Sequence, residues 1–306
     1  MNIYTPICDF LGIRYPLFQG GMAWVATGEL AAAVSQGGGL GIIGAGNAPA
    51  HVVAAEIKKV KELTGKPFGV NIMLLSPFAE DVVSLVMEEK VPVVTTGAGN
   101  PGKFLEGFKE KGIKVIPVVS SVALARRLER QGADALIAEG QEAGGHVGEL
   151  TTMVLVPQVV DAVNIPVIAA GGLADGRGLG AALLLGAQGV QVGTRFICAA
   201  ECTAHINYKQ AIVKAKDRDT VVTGRSTGHP VRIIKNKLAR EYQQLERGGA
   251  TPAELEEFGS GKLALAVQKG DTVNGSIMAG QSAGMVTKIE KAADIIRSIV
   301  EEAEKL

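Results

Sequence analysis

His146 stands among glycines in "EGQEAGGHVGEL". Gly144, Gly145 and Gly148 have no side chains to keep a reacting atom away, and an imidazole gives or takes a proton near neutrality. The pattern offers proton transfer or hydrogen-bond donation; its alternative is a partly exposed loop histidine. Two further loops, "AAGGLADG" and "VGTRF", suggest a different chemistry. Gly171, Gly172, Gly193 and Thr194 would turn backbone N–H groups toward a phosphate, with the Thr194 hydroxyl as an extra donor, unless the loops are only tight turns. No serine, cysteine or lysine has a setting that marks it as a nucleophile. "CAAECTAH" puts Cys198, Cys202 and His205 at i, i+4 and i+7 of a predicted helix face. With no fourth ligand in sight, half-buried cysteines on an amphipathic helix are favoured over a metal cradle.

A third glycine pattern tests a dinucleotide reading. "GLGIIG", from Gly39 to Gly44, has the G-x-G-x-x-G spacing but lacks its context. A helical run, "GELAAAVSQGG", precedes it where a strand should, and Glu62, the acid at the right distance, lies in the solvated end of a helix. "GAGNPG", from Gly97 to Gly102, follows a β-rich run but contains Pro101 and also lacks a suitable acid. GLGIIG is therefore read as a strand.

The elements that must position these loops recur from Tyr15 to Phe196. Short β-branched runs, "PLFQGGM", "GLGIIGAG", "FGVNIMLLS", "VPVVTTGAG", "KVIPVVSS", "ALIAEG", "PVIAAGG" and "GVQVGTRF", alternate with amphipathic stretches such as "HVVAAEIKKVKELTG" and "SVALARRLERQGA". Near-continuous apolar strands separated by helices imply a parallel sheet covered on its outer face, and about eight such units close into a barrel. The fold class expected is α/β, a (β/α)8 TIM barrel, with a doubly wound open sheet as the alternative because periodicity does not show closure. After Phe196 the alternation stops. Residues 201–271 read as a mostly helical insertion after the eighth strand, without strands of its own, and residues 1–200 with 272–306 form the barrel.

The 306 residues carry 31 Lys plus Arg against 31 Asp plus Glu, a balance that gives no electrostatic reason to expect nucleic acid or an anionic membrane as partner. No stretch approaches a membrane span, and three cysteines are too few for a disulfide framework, so a cytoplasmic protein is expected.

Taken in order, "FQGGMAWVATGELAAAVSQGGGLGIIGAGNAP", "KPFGVNIMLLSPFAEDVV", "VVTTGAGNP", "VIPVVSSVALARR", "IAEGQEAGGHVGELTTM", "IPVIAAGGLADGRG", "VQVGTRF" and "GSIMAGQSAG" resemble enoyl-acyl-carrier-protein reductase II, a flavin-dependent bacterial enzyme of the nitronate monooxygenase superfamily. The resemblance spans nearly the whole chain. "AGGHVG" is shared with nitronate monooxygenases; "GVNIMLLSP" and "TTGAGNP" look like the reductase branch. The resemblance implies an FMN-containing barrel in which Gly171, Gly172, Gly193 and Thr194 hold the phosphate. Gly21, Met22 and Ala23 would face the isoalloxazine, Asn71 would bond its polar edge, Gln191 would line the ring pocket, and Met278, Gln281 and Ser282 would close over it. His146 matches the proposed catalytic histidine. The resemblance also implies NADH or NADPH as hydride donor, an enoyl-acyl carrier protein as substrate, a homodimer, and stimulation by monovalent cations. The rival activity is that of a nitronate monooxygenase; a flavin-binding barrel without turnover is a third possibility. In "VRIIKNKLAREYQ", Arg232, Lys235 and Arg240 are predicted near one side of a helix, a patch suited to an acidic carrier domain if it is not a plain solvated face.

Overall fold

A computed structural model describes residues 1–306. Eight parallel strands form the barrel: β1 (Leu17–Gln19), β2 (Gly41–Gly46), β3 (Phe68–Met73), β4 (Val93–Gly97), β5 (Lys114–Val119), β6 (Leu136–Glu139), β8 (Val167–Ala170) and β9 (Gly189–Val192). From β2 to β9 each barrel strand pairs with the next, and β1 pairs with β9. The remaining seam, β1 against β2, closes through Gln19 N–H to Leu40 O and Leu40 N–H to Leu17 O, both 2.9 Å.

β1 has only three residues, too few to pair the full length of β2. The buried Gln19 side chain completes the ladder in place of backbone. Its Nε2 donates to Ile42 O at 3.1 Å and its Oε1 accepts from Ile42 N at 3.1 Å. GLGIIG is the second strand of this barrel, as its β-branched pair suggested, and the open-sheet alternative falls with the closed seam.

The period of two sorts residues between inside and outside. Leu136, Ala138, Val167, Ala169, Val190 and Val192 pack outward among the covering helices. Phe18, Leu40, Ile42, Val93, Ile116, Ala135, Ile137 and Ile168 form the inner core. The helix Pro6–Leu11 plugs the N-terminal end of the barrel with Ile7, Cys8 and Leu11, and each such side chain contributes about 1.5–3 kcal/mol by burial. The helix Val122–Gln131 shows how the covering layer is delimited: Ser121 caps its start by accepting from Leu124 N, and Gly132 ends it at φ 100°. The final helix, Ala292–Glu304, covers the helices Gly28–Gln36 and Gly176–Leu184.

The insertion departs from the sequence reading in two places. It is not free of strands: β10 (Thr220–Thr223) and β11 (Val231–Ile234) pair antiparallel, and β11 pairs in turn with β7 (Gly145–His146). "VRIIKNKLAREYQ" is accordingly a strand followed by a helix that starts only at Lys237, capped by Asn236 accepting from Ala239 N. The β-branched pair Ile233–Ile234 favours the pleated surface, and Asn236 competes with the helix interior and serves better as a cap. Arg232 therefore does not share a helix face with Lys235 and Arg240; it is buried, while the other two are exposed. Cys198, Cys202 and His205 likewise do not share one. The helix Thr194–Ile197 ends before them, both cysteines are buried, and His205 caps the next helix through Nδ1.

Candidate active site

The inner positions one step beyond the apolar core change character at the C-terminal ends of the strands. Gly20, Gly44, Asn71, Thr95, Glu139, Ala170 and Gln191 succeed Phe18, Ile42, Gly69, Val93, Ile137, Ile168 and Gly189 along the same inward-facing rows. Glycine on β2 and just beyond β1 leaves a hollow, and the amides and hydroxyl on the other strands give it a polar floor. Asn71 donates from Nδ2 to Thr95 Oγ1 at 2.9 Å, so its Oδ1 is left to accept from a ligand. Gln191 is buried beside Gly20.

The loop after β1 closes one side. A Cβ on Gly21 would lie 2.2 Å from the Asn71 Cβ, so only glycine lets this loop cross β3 so closely. Met22 packs over Gly44 and reaches toward Gly193, and Ala23 lies against Gly46. Gly21, Met22 and Ala23 are all half-buried at the rim.

Gly171 and Gly172 adopt φ 98° and 73°, the left-handed region that favours glycine. A Cβ on Gly171 would come within 2.7 Å of Gly140 O. The N–H groups of Gly171, Gly172 and Gly193 donate to no acceptor within the chain, although backbone N–H groups in folded proteins are normally paired. Thr194 Oγ1 accepts from Gly280 N at 2.8 Å, which leaves its hydroxyl proton to donate outward. Unpaired amides, a donor hydroxyl and glycine backbone fit a phosphate.

The returning segment is bound into the same rim. Gln281 N donates to Glu142 O at 2.9 Å, and Glu142 accepts from Thr152 N and Oγ1 at 3.0 Å while Thr152 Oγ1 also reaches Gly171 O at 2.9 Å. Ser282 is buried and Gln281 exposed. Together with Gly171 and Gly172 they line a cavity of about 300 Å³. Met278 lies against Gly145 and its carbonyl accepts from Tyr208 Oη at 2.8 Å. A larger recess of about 610 Å³ opens at the opposite end of the barrel beside Arg14 and Lys66; none of these site residues lines it.

His146 reaches the mouth on β7, held by β11 rather than by the barrel. Its Cα faces Val231, and Val147 N donates to Pro230 O at 3.1 Å. The buried Arg232 guanidinium grips the start of the same loop, donating to Gln141 O from Nε at 3.2 Å and Nη2 at 3.0 Å, and to Thr220 Oγ1 from Nη1 at 3.2 Å. The His146 side chain is open to a ligand yet recessed, and the surrounding protein, with His229 nearby, holds its pKa below the ordinary value.

The mouth thus brings together His146 with the glycine-loop, ring-facing and rim residues singled out from the sequence, but not Cys198, Cys202, His205, Lys235 or Arg240. It adds two that the sequence reading missed, Glu142 and Glu139, and gives Arg232 a different role. Arg232 and Glu142 anchor the rim, and their partners are distant in sequence. Glu139 has no hydrogen-bond partner, and desolvation pushes its carboxyl up to about 7. A signal for Glu139 did exist: it is the acid in "ALIAEG", two residues past the inward Ile137. No group of three or more His, Cys, Asp or Glu side chains is placed to hold a metal ion.

A (β/α)8 barrel that joins unpaired glycine amides, a polar floor and a recessed histidine at the C-terminal end of its strands has the layout of a cofactor-dependent enzyme. The nitronate monooxygenase family profile matches residues 4–84 and 78–302, and the chain belongs to that family of flavin-dependent oxidoreductases. It is similar to the solved structure of FabK from Thermotoga maritima, with a TM-score of 0.97 and 53% identity over 99% of this chain and 97% of that one. Among curated proteins, it is 40% identical to the (3aS,4S,5R,7aS)-5-hydroxy-7a-methyl-1-oxo-octahydro-1H-indene-4-carboxyl-CoA dehydrogenase of Mycobacterium tuberculosis (strain ATCC 25618 / H37Rv), over 85% of this chain and 74% of that protein. It is 35% identical to a probable nitronate monooxygenase of Staphylococcus saprophyticus over 100% of this chain and 99% of that protein.

Proposed function

We propose that the protein is an FMN-dependent enoyl-acyl-carrier-protein reductase that uses NADH or NADPH to saturate trans-2-enoyl thioesters in fatty acid elongation. The observation that carries this reading is the likeness to FabK along nearly the whole of both chains. When bound, FMN supplies hydride chemistry between a reduced nicotinamide and the enoyl β-carbon. The geometry of the mouth supports the roles that the family resemblance gives this chain's residues. Gly171, Gly172 and Gly193 offer N–H groups, and Thr194 its hydroxyl, to the phosphate. Asn71 Oδ1 accepts from the polar edge of the ring, Gln191 floors the pocket, Gly21, Met22 and Ala23 take one face, and Met278, Gln281 and Ser282 close the rim.

Hydride arriving at the β-carbon leaves negative charge on the thioester oxygen and calls for a proton at the α-carbon. His146 serves as donor: its imidazole N–H placed at the oxygen favours the transition state over the ground state, and the protonated ring delivers its proton to the α-carbon and returns to neutral. The acyl chain arrives on an acyl carrier protein in the cytoplasm, and the working unit is a homodimer. Monovalent cations stimulate turnover.

Nitronate oxidation is the second reading, favoured by the full-length likeness to a probable nitronate monooxygenase. There His146 would remove a proton α to the nitro group. The test compares NAD(P)H-driven reduction of crotonyl thioester with oxygen uptake on a nitroalkane. Turnover of the thioester is expected; oxygen uptake alone would replace the reductase by the monooxygenase. Neither reaction, with FMN bound, would leave a flavin-binding barrel.

A further inference from the structure

We infer that His229 is a positioning residue for the His146 proton: from the same face of the β7–β11 ladder, its imidazole governs when His146 takes up its second proton. The inference rests on the reading of His146 as the donor. In an antiparallel pair, residues directly opposite point to one side, and so does the residue two places further along. His146 is opposite Val231, and His229 lies two residues before Val231. The pairing continues as far as Pro230, the residue next to His229, because Val147 N donates to Pro230 O at 3.1 Å. His146 and His229 are therefore diagonal neighbours on one face, a relation that puts such residues about 7–8 Å apart.

Local structure fixes His229 at that place. Its N–H donates to Thr227 Oγ1 at 3.1 Å, Thr227 Oγ1 donates to Gly224 O at 2.8 Å, and Pro230 restricts the next φ. The side chain is exposed, so solvent can exchange its proton. After desolvation, the charge of His229 is the influence that holds the His146 pKa down.

Several other charged groups surround His146. Arg232 on β11 points to the opposite face, toward Gln141 O. Glu142 in the same loop is taken up by Thr152. Arg225 lies in the turn before His229, Glu149 follows His146 by three residues, and Glu139 sits on the barrel floor. The returning segment from Ile277 to Ser282 contributes no titratable side chain. When His229 is protonated, a second positive charge on His146 is opposed; when His229 is neutral, that opposition vanishes.

The test follows the His146 ring signals by NMR in the full-length FMN-loaded protein with labelled histidine, assigned by their loss in His146→Gln. In His229→Gln the His146 titration should move to higher pH, and in His229→Lys, where the charge persists through neutrality, it should not rise and should move lower. The alkaline limb of the enoyl-thioester rate profile, where the donor loses its proton, should follow in both. An unchanged His146 midpoint in both variants, or movement of both in the same upward direction, would overturn the inference, because altered packing does not reverse sign with charge. Opposite shifts in a protein that does not reduce enoyl thioesters would instead sink the functional reading and leave the coupling standing.

Discussion

The two ends of the barrel are built from the same strands with opposite materials. At the N-terminal end, Phe18, Leu40, Ile42 and Ile116 meet the plug Ile7, Cys8 and Leu11, and the interior is apolar and closed. One inward step along, the rows read Gly20, Gly44, Asn71, Thr95, Glu139 and Gln191, and the interior is open and polar. A strand's period of two lets adjacent layers be assigned separately, so one end holds the fold while the other is shaped for a ligand. The contrast extends to backbone: amides at the closed end are paired in the ladder, whereas those of Gly171, Gly172 and Gly193 are not.

Separating the two ends experimentally gives the strongest expected effect at the closed one. Phe18→Ala removes a fully buried ring and should cost about 3–5 kcal/mol in denaturant unfolding, with the flavin affinity of the remaining folded protein unchanged. A matching fall in affinity would mean that the layers are not independent. Glu139 should next betray the open end through pH. Its folded-state pKa of about 7 exceeds the ordinary 4.5, so between those values the folded chain keeps a proton that the unfolded chain has released. Stability should therefore fall as pH rises through that window, by at most about 3 kcal/mol, and level off above it. Glu139→Gln should remove that component of the unfolding profile; an identical profile would place the carboxyl in water.

A smaller effect is expected from Gly171→Ala. A Cβ at φ 98° and 2.7 Å from Gly140 O strains the loop, at about 1–2 kcal/mol, and should weaken FMN binding about tenfold in fluorescence titration. Unaltered FMN binding would remove the loop from the phosphate site. Smallest of all is the exposed remainder of the basic segment. Lys235→Glu with Arg240→Glu should shift stability by less than about 0.5 kcal/mol and raise KM for an enoyl-carrier-protein while sparing an N-acetylcysteamine thioester. Equal KM values for the carrier substrate with and without the substitutions would return these residues to plain solvent exposure.

What was legible in the sequence follows the range of the interactions. β-branched runs, their spacing and the glycine-lined loops are local, so the barrel, the strand GLGIIG, the amides of Gly171 and Gly193 and the setting of His146 could be read directly. The ladder between β7 and β11 was not legible: it joins a two-residue strand to one more than eighty positions away, and neither segment announces its partner. For the same reason Arg232 looked like a surface cation, when its carbonyl acceptor at Gln141 makes it an internal clamp. Cys198 and Cys202 had the right spacing for a helix face, but the chain leaves the helix at Ile197 and buries them separately. Gln19, whose amide substitutes for missing backbone, gave no local sign of that role.

The central claim, that the open end performs enoyl reduction with His146 as donor, is tested most directly by stopped-flow measurement of the two half-reactions in His146→Ala. Flavin should be retained and reduced by NAD(P)H at close to the wild-type rate, while its reoxidation by an enoyl thioester should slow by about 10²-fold to 10⁴-fold. Reoxidation at the wild-type rate would contradict the account and leave His146 a structural residue of the β7–β11 ladder.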